Sequence, residues 1–348
     1  MAFFQQIDIK KDAQKNICID QVIPACLKTA GILSEFVDEK YDLDLEFDKD
    51  NVQTAISIEN SASNNNENKP DKIVLILADA LGAINLKNAQ NYAPFLRKMR
   101  AKIISTCIPS TTTSAITTLT TSSMPSETNM LGWSIIDPKN KKLVKLLSFE
   151  NCHLKPDIFQ PTQTWFEILS DNMIESFFVG MSKFENSGFT SASFKASTFV
   201  SVNSHSEITD KIIFLNRKNA KFIYSHWAKI DQLGHRQGSE NYFWDLEIES
   251  FDRFISELYS RLASKTLLIV VADHGMVNVD EENKIYLNDF KYYDCIENVA
   301  GEPRSLHVHL KNTLRIEEKE KILKHLELFL DDKAYVVTAK KPLSLIHI

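Results

Sequence analysis

From Lys72 onward, short β-branched and aliphatic runs alternate with stretches of helical period. Runs that are apolar at nearly every position suit strands buried on both faces, and their alternation with helices fits a mainly parallel sheet covered on both sides. The pattern predicts strands at Ile73–Ala78, Ile103–Cys107, Phe177–Gly180, Phe222–Trp227, Thr266–Ala272 and Leu306–Leu310. It predicts helices at Ala93–Arg100, Ser114–Ser122, Thr164–Ser170, Ser239–Leu262 and Ile316–Leu330. Ahead of this region, IDQVIPACLKTAGIL reads as a helical segment packed on the main body, and Tyr41–Asp50 is acidic and alternating. Ser61–Lys69, SASNNNENK, has too little apolar surface to bury and reads as a polar surface loop. The expected division is an N-terminal segment, 1–70, packed on the core, and one α/β unit, 71–342, in which about 133–216 includes a cap or insertion.

Composition narrows the class. With 348 residues, 43% hydrophobic and 10% aromatic, the chain can bury a large core as one unit. A formal net charge of −6 gives no broad basic footprint for a nucleic-acid duplex, so a small charged substrate is the expected partner. The opening MAFFQQIDIKKDAQK lacks an apolar signal region, and no apolar run approaches the ~20 residues of a membrane span. Five cysteines, odd in number and without a C-x-x-C pair, fit a reducing compartment, so a cytoplasmic location is expected.

The chemistry is concentrated at the ends of the apolar runs. Asp79 closes IVLILAD, Asp231 and His235 lie in KIDQLGHRQG, Asp273 and His274 close LLIVVADH, His307 lies in GEPRSLHVHL, and Thr112 sits in IPSTTTSAITTL. In an open α/β sheet, function gathers where strands end and the amides of following helices point inward. Three carboxylates, three imidazoles and a hydroxyl are the parts of a two-metal phosphoryl-transfer site. Each has an ordinary explanation when taken singly: an Asp after a strand caps a helix, a His beside it is solvated, and a hydroxyl run is an N-cap. Their joint recurrence favours the site. Asp231 and His235, at i and i+4, share one face of a helical turn, and Gly234 leaves room for a close approach. Gly275 permits the bend that the adjacent Asp273–His274 pair needs. A helix starting within Pro109–Thr121 would turn free amides toward an anionic substrate.

These residues carry a resemblance. LADALG, APFLRKM, PSTTTSAITTLTT, FENSGFTSASFKASTFVS, HWAKIDQLGHRQGS, VVADHGM and GEPRSLHVHL, in this order from about Ile73 to Thr338, are similar to the bacterial branch of the type I phosphodiesterase/nucleotide pyrophosphatase family of the alkaline phosphatase superfamily. The resemblance implies an α/β, alkaline-phosphatase-like three-layer αβα sandwich. It implies two divalent cations, zinc before manganese: one held by Asp231, His235 and His307, the other by Asp79, Asp273, His274 and the Thr112 oxygen. Thr112, three residues after the motif proline, is the implied nucleophile, with Thr111 and Thr113 as fallbacks, and His309 is the runner-up to His307. The implied substrate is a small phosphorylated molecule, a nucleotide among the candidates. Hydrolysis of phosphate monoesters, phosphonates or sulfates on the same scaffold is the alternative, and a non-catalytic, metal-stapled binding protein a third reading.

The chain departs from the family pattern after the nucleophile helix, where PSETNMLGW puts Thr128 and Asn129 in place of a His-Gly pair, so substrate contacts near Trp133 are expected to differ. Trp133, Phe189 and Trp227 are candidate pocket walls. The remaining histidines, His153, His205, His226 and His325, read as surface or satisfied core residues. LSLIHI resembles a translated library adapter, so 343–348 reads as a non-native tail.

Overall fold

The computed structural model of the chain describes residues 18–35, 37, 53–54, 69–99, 101, 103–338 and 345–347. The acidic stretch Tyr41–Asp50 and all of the polar loop except Lys69 lie outside them.

The apolar run after Lys72 forms strand β2, Lys72–Ala78, at the centre of a sheet that also holds β1 (Gln53–Thr54), β5 (Ser176–Met181), β6 (Thr198–Val202), β7 (Phe222–Trp227) and β8 (Thr266–Val271). The order is β1-β8-β2-β7-β5-β6, and every pair is parallel. Side-chain alternation divides the interior in two. Ile73, Leu75 and Leu77 enter one core with Ile116, Leu119, Phe166, Phe222, Tyr224 and Ile269. Val74, Ile76 and Ala78 enter a second core with Ile212, Ile223, Trp227, Ile248, Phe251 and Leu268. A strand that feeds two cores must be apolar at consecutive positions, which is why KIVLILA reads as it does. The result is the expected three-layer αβα sandwich.

The helix Val22–Thr29 is buried along Val22–Leu27 and packs against the first core. Thr112–Thr121, Trp165–Asp171, Tyr242–Arg261 and Ile316–Leu330 realise expected helical segments, each within a few residues of its predicted start, and the turn that carries Asp231 and His235 is helical over Lys229–Gln237. Two expectations are corrected. Ile103–Cys107 is no strand: it makes one bridge, Ser105 to Cys18, and although Cys107 is buried and Ile104 packs against the first core, Ile103 is 71% exposed. Within Ala93–Met99 the chain makes a short 3-10 turn at Leu96–Lys98 in place of a helix, with the Asp252 carboxylate accepting the amides of Phe95 and Leu96 at 3.1 and 2.7 Å.

The 133–216 stretch supplies β5 and β6 to the central sheet as well as a separate hairpin, β3 (Ser134–Ile136) and β4 (Leu143–Lys145). The predicted strand at Leu306–Leu310 belongs to a second, antiparallel sheet of order β11-β12-β10-β9, comprising β9 (Ile296–Glu302), β10 (Ser305–Leu310), β11 (Val337–Thr338) and β12 (Leu345–His347). This sheet has its own small core, in which Phe290, Val308, Leu310, Ile322 and Leu326 meet. Ser134 links the hairpin to it by donating its hydroxyl to Gly301 O at 2.9 Å.

A buried staple fixes the hairpin. Asp137 accepts the amides of Lys139 (2.8 Å), Asn140 (3.1 Å) and His153 (2.8 Å), and His153 Nδ1 lies 2.5 Å from Asp137 Oδ2. Burial by itself pushes the Asp137 carboxyl up, but these donors outweigh it and hold the group below the usual carboxylate range. Its stabilisation is therefore complete above the ordinary Asp range and is lost as pH falls below it. Asp137→Ala is expected to cost about 1–3 kcal/mol at neutral pH, since it leaves three partly buried amides without an acceptor. A urea midpoint unchanged from wild type would contradict the staple.

Candidate active site

The site forms where β2, β7 and β8 end. Asp79 follows β2 and is 2% exposed, while Asp273, two residues past the end of β8, is fully buried. Ala80 turns the chain at a left-handed φ of +65°, a conformation few residues with a Cβ adopt, and its amide approaches Asp273 Oδ1 at 3.2 Å. The loops after β2 and β8 touch at Gly82 and Gly275. A Cβ on Gly82 would lie 2.7 Å from Gly275 Cα, so neither loop has room for a side chain there. This contact keeps Asp79 and the Asp273–His274 pair together.

His274 Nδ1 lies 3.0 Å from Gly275 O, which accepts its proton and leaves Nε2 turned inward. That nitrogen is 3.5 Å from Asp79 Oδ1, 3.5 Å from Asp273 Oδ2 and 3.3 Å from Thr112 Oγ1. Thr112 Oγ1 is also 3.5 Å from Asp79 Oδ1. Thr112 opens the helix Thr112–Thr121, and the capping residue, Thr111, makes no side-chain bond to it, so the first-turn amides remain for an anion. Thr113 is committed elsewhere, its hydroxyl donating to Gly132 O at 2.6 Å.

Asp231 and His235 occupy the helix after β7, with His235 Nε2 3.3 Å from Asp231 Oδ1 but not aligned for a hydrogen bond. Gly234 between them lies against Trp244 and Met276, where a Cβ would approach to 2.7 and 2.8 Å. His307 is buried on β10 and His309 half-buried; the ring of His307 lies close to Gly132, with Cε1 3.8 Å from where a Cβ on that glycine would stand. The ligand atoms of Asp79, Asp273 and His274 all fall within 4.8 Å of one another, whereas Asp231, His235 and His307 do not form so tight a group.

One residue of this site reads from sequence only as a satisfied histidine. His226, the last inward position of β7 but one, sits with its Nε2 2.9 Å from Asp79 Oδ2. It is a satisfied histidine, but its partner is a site carboxylate. The available signal was strand alternation: Phe222, Tyr224 and His226 point to one face, and the register pairs Leu77 with His226. Of the candidate pocket walls, Phe189 and Trp227 are core residues at 7% and 5% exposure. Trp133 is 39% exposed, with Lys145 Nζ 5.2 Å from its ring centroid.

Electrostatics fit a cation. Burial first, then the charges of Asp273 and Asp231, push the Asp79 carboxyl well above its usual range. Burial likewise raises Asp231. Burial opposes a charged His274, yet Asp273 and Asp79 overcome it and hold that imidazole up to about 9. His226 is pushed down to about 4, mainly by burial. Two buried carboxylate oxygens, Asp273 Oδ2 and Asp231 Oδ1, have no hydrogen-bond donor. Orphaned carboxylates beside inward-facing imidazole nitrogen are a donor set that suits a divalent cation of the zinc or manganese kind.

The profile described as type I phosphodiesterase / nucleotide pyrophosphatase matches residues 73–341. Among curated proteins, GPI ethanolamine phosphate transferase 2 of Kluyveromyces lactis is 31% identical over 61 residues, 18% of this chain, and the match spans only 8% of that protein. Among solved structures, human ectonucleotide pyrophosphatase / phosphodiesterase 5 aligns with a TM-score of 0.64 at 15% identity, covering 80% of this chain and 78% of that one. The murine protein in an inactive form, in complex with AMP, aligns with a TM-score of 0.60 at 14% identity over the same shares. At these identities the structural likeness bears on the fold.

Without metal, His274, held up to about 9, makes the folded state keep a proton that the unfolded chain releases above pH ~6.5, and the raised Asp79 acts in the same direction starting from the ordinary Asp range. Metal-free stability should therefore fall between pH ~6.5 and 9, while His226, neutral in both states there, contributes nothing. A divalent cation is expected to reverse the loss. Melting temperatures with chelator and with Zn2+ or Mn2+ should diverge as pH rises across this window, and parallel curves would count against the cluster as a cation site.

Proposed function

Because the chain belongs to the type I phosphodiesterase / nucleotide pyrophosphatase family, we propose that it hydrolyses phosphodiester or nucleotide pyrophosphate bonds with Thr112 as the nucleophile. The observation that carries this reading is the convergence of Thr112 Oγ1 on His274 Nε2 and Asp79 Oδ1, at 3.3 and 3.5 Å, over an open helix N-terminus. Asp79, Asp273 and His274 would hold one divalent cation with the Thr112 oxygen, and Asp231, His235 and His307 the second. Bound there, such cations supply Lewis-acid charge and lower the pKa of the threonine hydroxyl. Zinc fits the mixed oxygen and nitrogen donors best, with manganese next.

The residues divide the work. Thr112 Oγ1 would attack phosphorus as its proton leaves to water, Asp79 and His274 being reserved for the cation. The amides at the start of the Thr112–Thr121 helix face the phosphoryl oxygens and stabilise their charge. His226 fixes one oxygen of Asp79, and the carbonyl of Gly275 fixes the ring of His274, so neither has to reorganise during the reaction. The leaving group departs opposite Thr112, and water then displaces the threonine from phosphorus along the same line.

The expected substrate is a small phosphorylated molecule, and the AMP held by the murine structural relative favours a nucleotide. The site is expected to act in the cytoplasm. No helix among the described residues is long and apolar enough to cross a membrane.

Bis-p-nitrophenyl phosphate should be cleaved faster than p-nitrophenyl phosphate, and Thr112→Ala should lower kcat on the diester by about 1,000-fold or more while bound metal stays near the wild-type content. Full turnover by Thr112→Ala would remove the threonine from its role. A preference for p-nitrophenyl phosphate would move the reading to a monoesterase on the same scaffold.

A further inference from the structure

A second group of ligand atoms belongs to the β3–β4 hairpin and not to the strand ends that carry Asp79 and Asp273. One oxygen of Asp137, the sulfur of Cys152 and one ring nitrogen of His153 lie within 4.8 Å of one another, a closeness matched among the described residues only by Asp79, Asp273 and His274. Asp137 follows β3 and the other two lie past β4, so pairing of the hairpin, Ser134 with Lys145, brings the two segments together. Asn140 Nδ2 ties them again by donating to Asn151 O at 2.7 Å. The backbone leaves ordinary conformations to reach this arrangement: Phe149 and Asn151 take left-handed φ values of +61° and +67°, which few residues with a Cβ adopt.

The three groups suit one kind of ligand. The amides of Lys139 and Asn140 hold Asp137 Oδ1 and orient the carboxylate, while Oδ2 faces His153. Asp137 is buried, Cys152 half-buried and His153 exposed, so an ion can enter from the histidine side. Cys152 carries a free thiol. Thiolate, imidazole and carboxylate together are a zinc ligand set, whereas magnesium and calcium take oxygen ligands. Two ligands of one tetrahedral zinc stand about 3.3 Å apart, so the exposed His153 ring, 2.5 Å from Asp137 Oδ2, has to swing out by about 1 Å while the amides keep the carboxylate in place. None of the other cysteines, Cys18, Cys26, Cys107 and Cys295, belongs to such a group among the described residues.

We propose that Asp137, Cys152 and His153 bind one further divalent cation of the zinc kind, independent of the active site, with the fourth position left to water. The ion takes over from the Asp137–His153 contact as the tie between the turn after β3 and the segment after β4. On binding, the thiol proton leaves to solvent and the imidazole, coordinating through Nδ1, carries its proton on Nε2. Its role is that of a staple for the hairpin whose Ser134 reaches the second sheet at Gly301.

Cobalt is the probe, because thiolate ligation of Co2+ gives a charge-transfer band in the near ultraviolet and the Asp79–Asp273–His274 group has no thiol. The full chain, stripped with chelator and kept reduced, is titrated with Co2+ as wild type, Cys152→Ser, His153→Gln and Asp79→Asn. The wild type should develop the band, saturating at about one ion per chain, and Zn2+ should bleach it by displacing the cobalt. Cys152→Ser should lack the band. His153→Gln should raise the Kd read from it about 10-fold or more, and Asp79→Asn should leave it within about 2-fold of the wild-type Kd. A wild type without the band would overturn the proposal, whatever the variants do. So would a band that survives Cys152→Ser, one that His153→Gln leaves unchanged, or one that Asp79→Asn abolishes, since the ion would then be held by another thiol, by Cys152 alone or by the active site.

Discussion

Asp79 and Asp273 are buried at 2% and 0% exposure where two neighbouring strands end, and Asp231 adds a third negative charge that Asp79 feels through the protein. Concentrated charge of one sign inside a folded chain costs several kcal/mol unless donors or cations face it. The surroundings answer in kind. His226 meets one oxygen of Asp79, the amides of Ala80 and His274 meet Asp273 Oδ1, and His274 turns its remaining nitrogen inward. What is left over, Asp273 Oδ2 and Asp231 Oδ1, is buried without a hydrogen-bond donor. The glycine contact between the two loops and the left-handed Ala80 are the backbone cost of bringing these carboxylates together.

The site straddles the sheet. The Thr112 helix packs through Ile116 and Leu119 into the core that receives Leu75 and Tyr224, whereas the Asp231 helix packs through Ile230 with Trp244 and Ile248 into the other. Hydrogen bonds join the layers at the active edge: Thr113 to Gly132 O on one side, and Ser134 to Gly301 O on the way to the second sheet. The geometry around phosphorus therefore depends on two separately packed interiors meeting at one line of strand ends.

Much of this was legible in the sequence, for reasons that differ by residue. Asp79 and Asp273 were readable because a strand buried on both faces leaves a long apolar run whose end is unmistakable. The pairing of Asp231 with His235 followed from helical spacing alone. Ile103–Cys107 misled because an apolar run signals a strand only if a partner covers it, and here Ile103 stays exposed. Ala93–Met99 keeps to a short turn whose amides are met by Asp252, more than 150 residues away, a partner no local pattern carries. β6 and β9 escaped notice because TFVSV and IENVAGE are polar at positions an edge or a two-sided antiparallel strand leaves half-exposed. His226 was visible as a residue, and its meaning depended on knowing which face of β7 looked at Asp79.

His307 stands on a sheet with its own small core, 228 positions along the chain from Asp79. His307 therefore depends on the packing of that second sheet and not on the central sheet that carries Asp79 and Asp273. A chain that has assembled only the central sheet already possesses Asp79, Asp273 and His274, but not the imidazole contributed by β10. In the proposed two-cation site, full metal capacity would therefore be reached only in molecules whose two sheets have both formed.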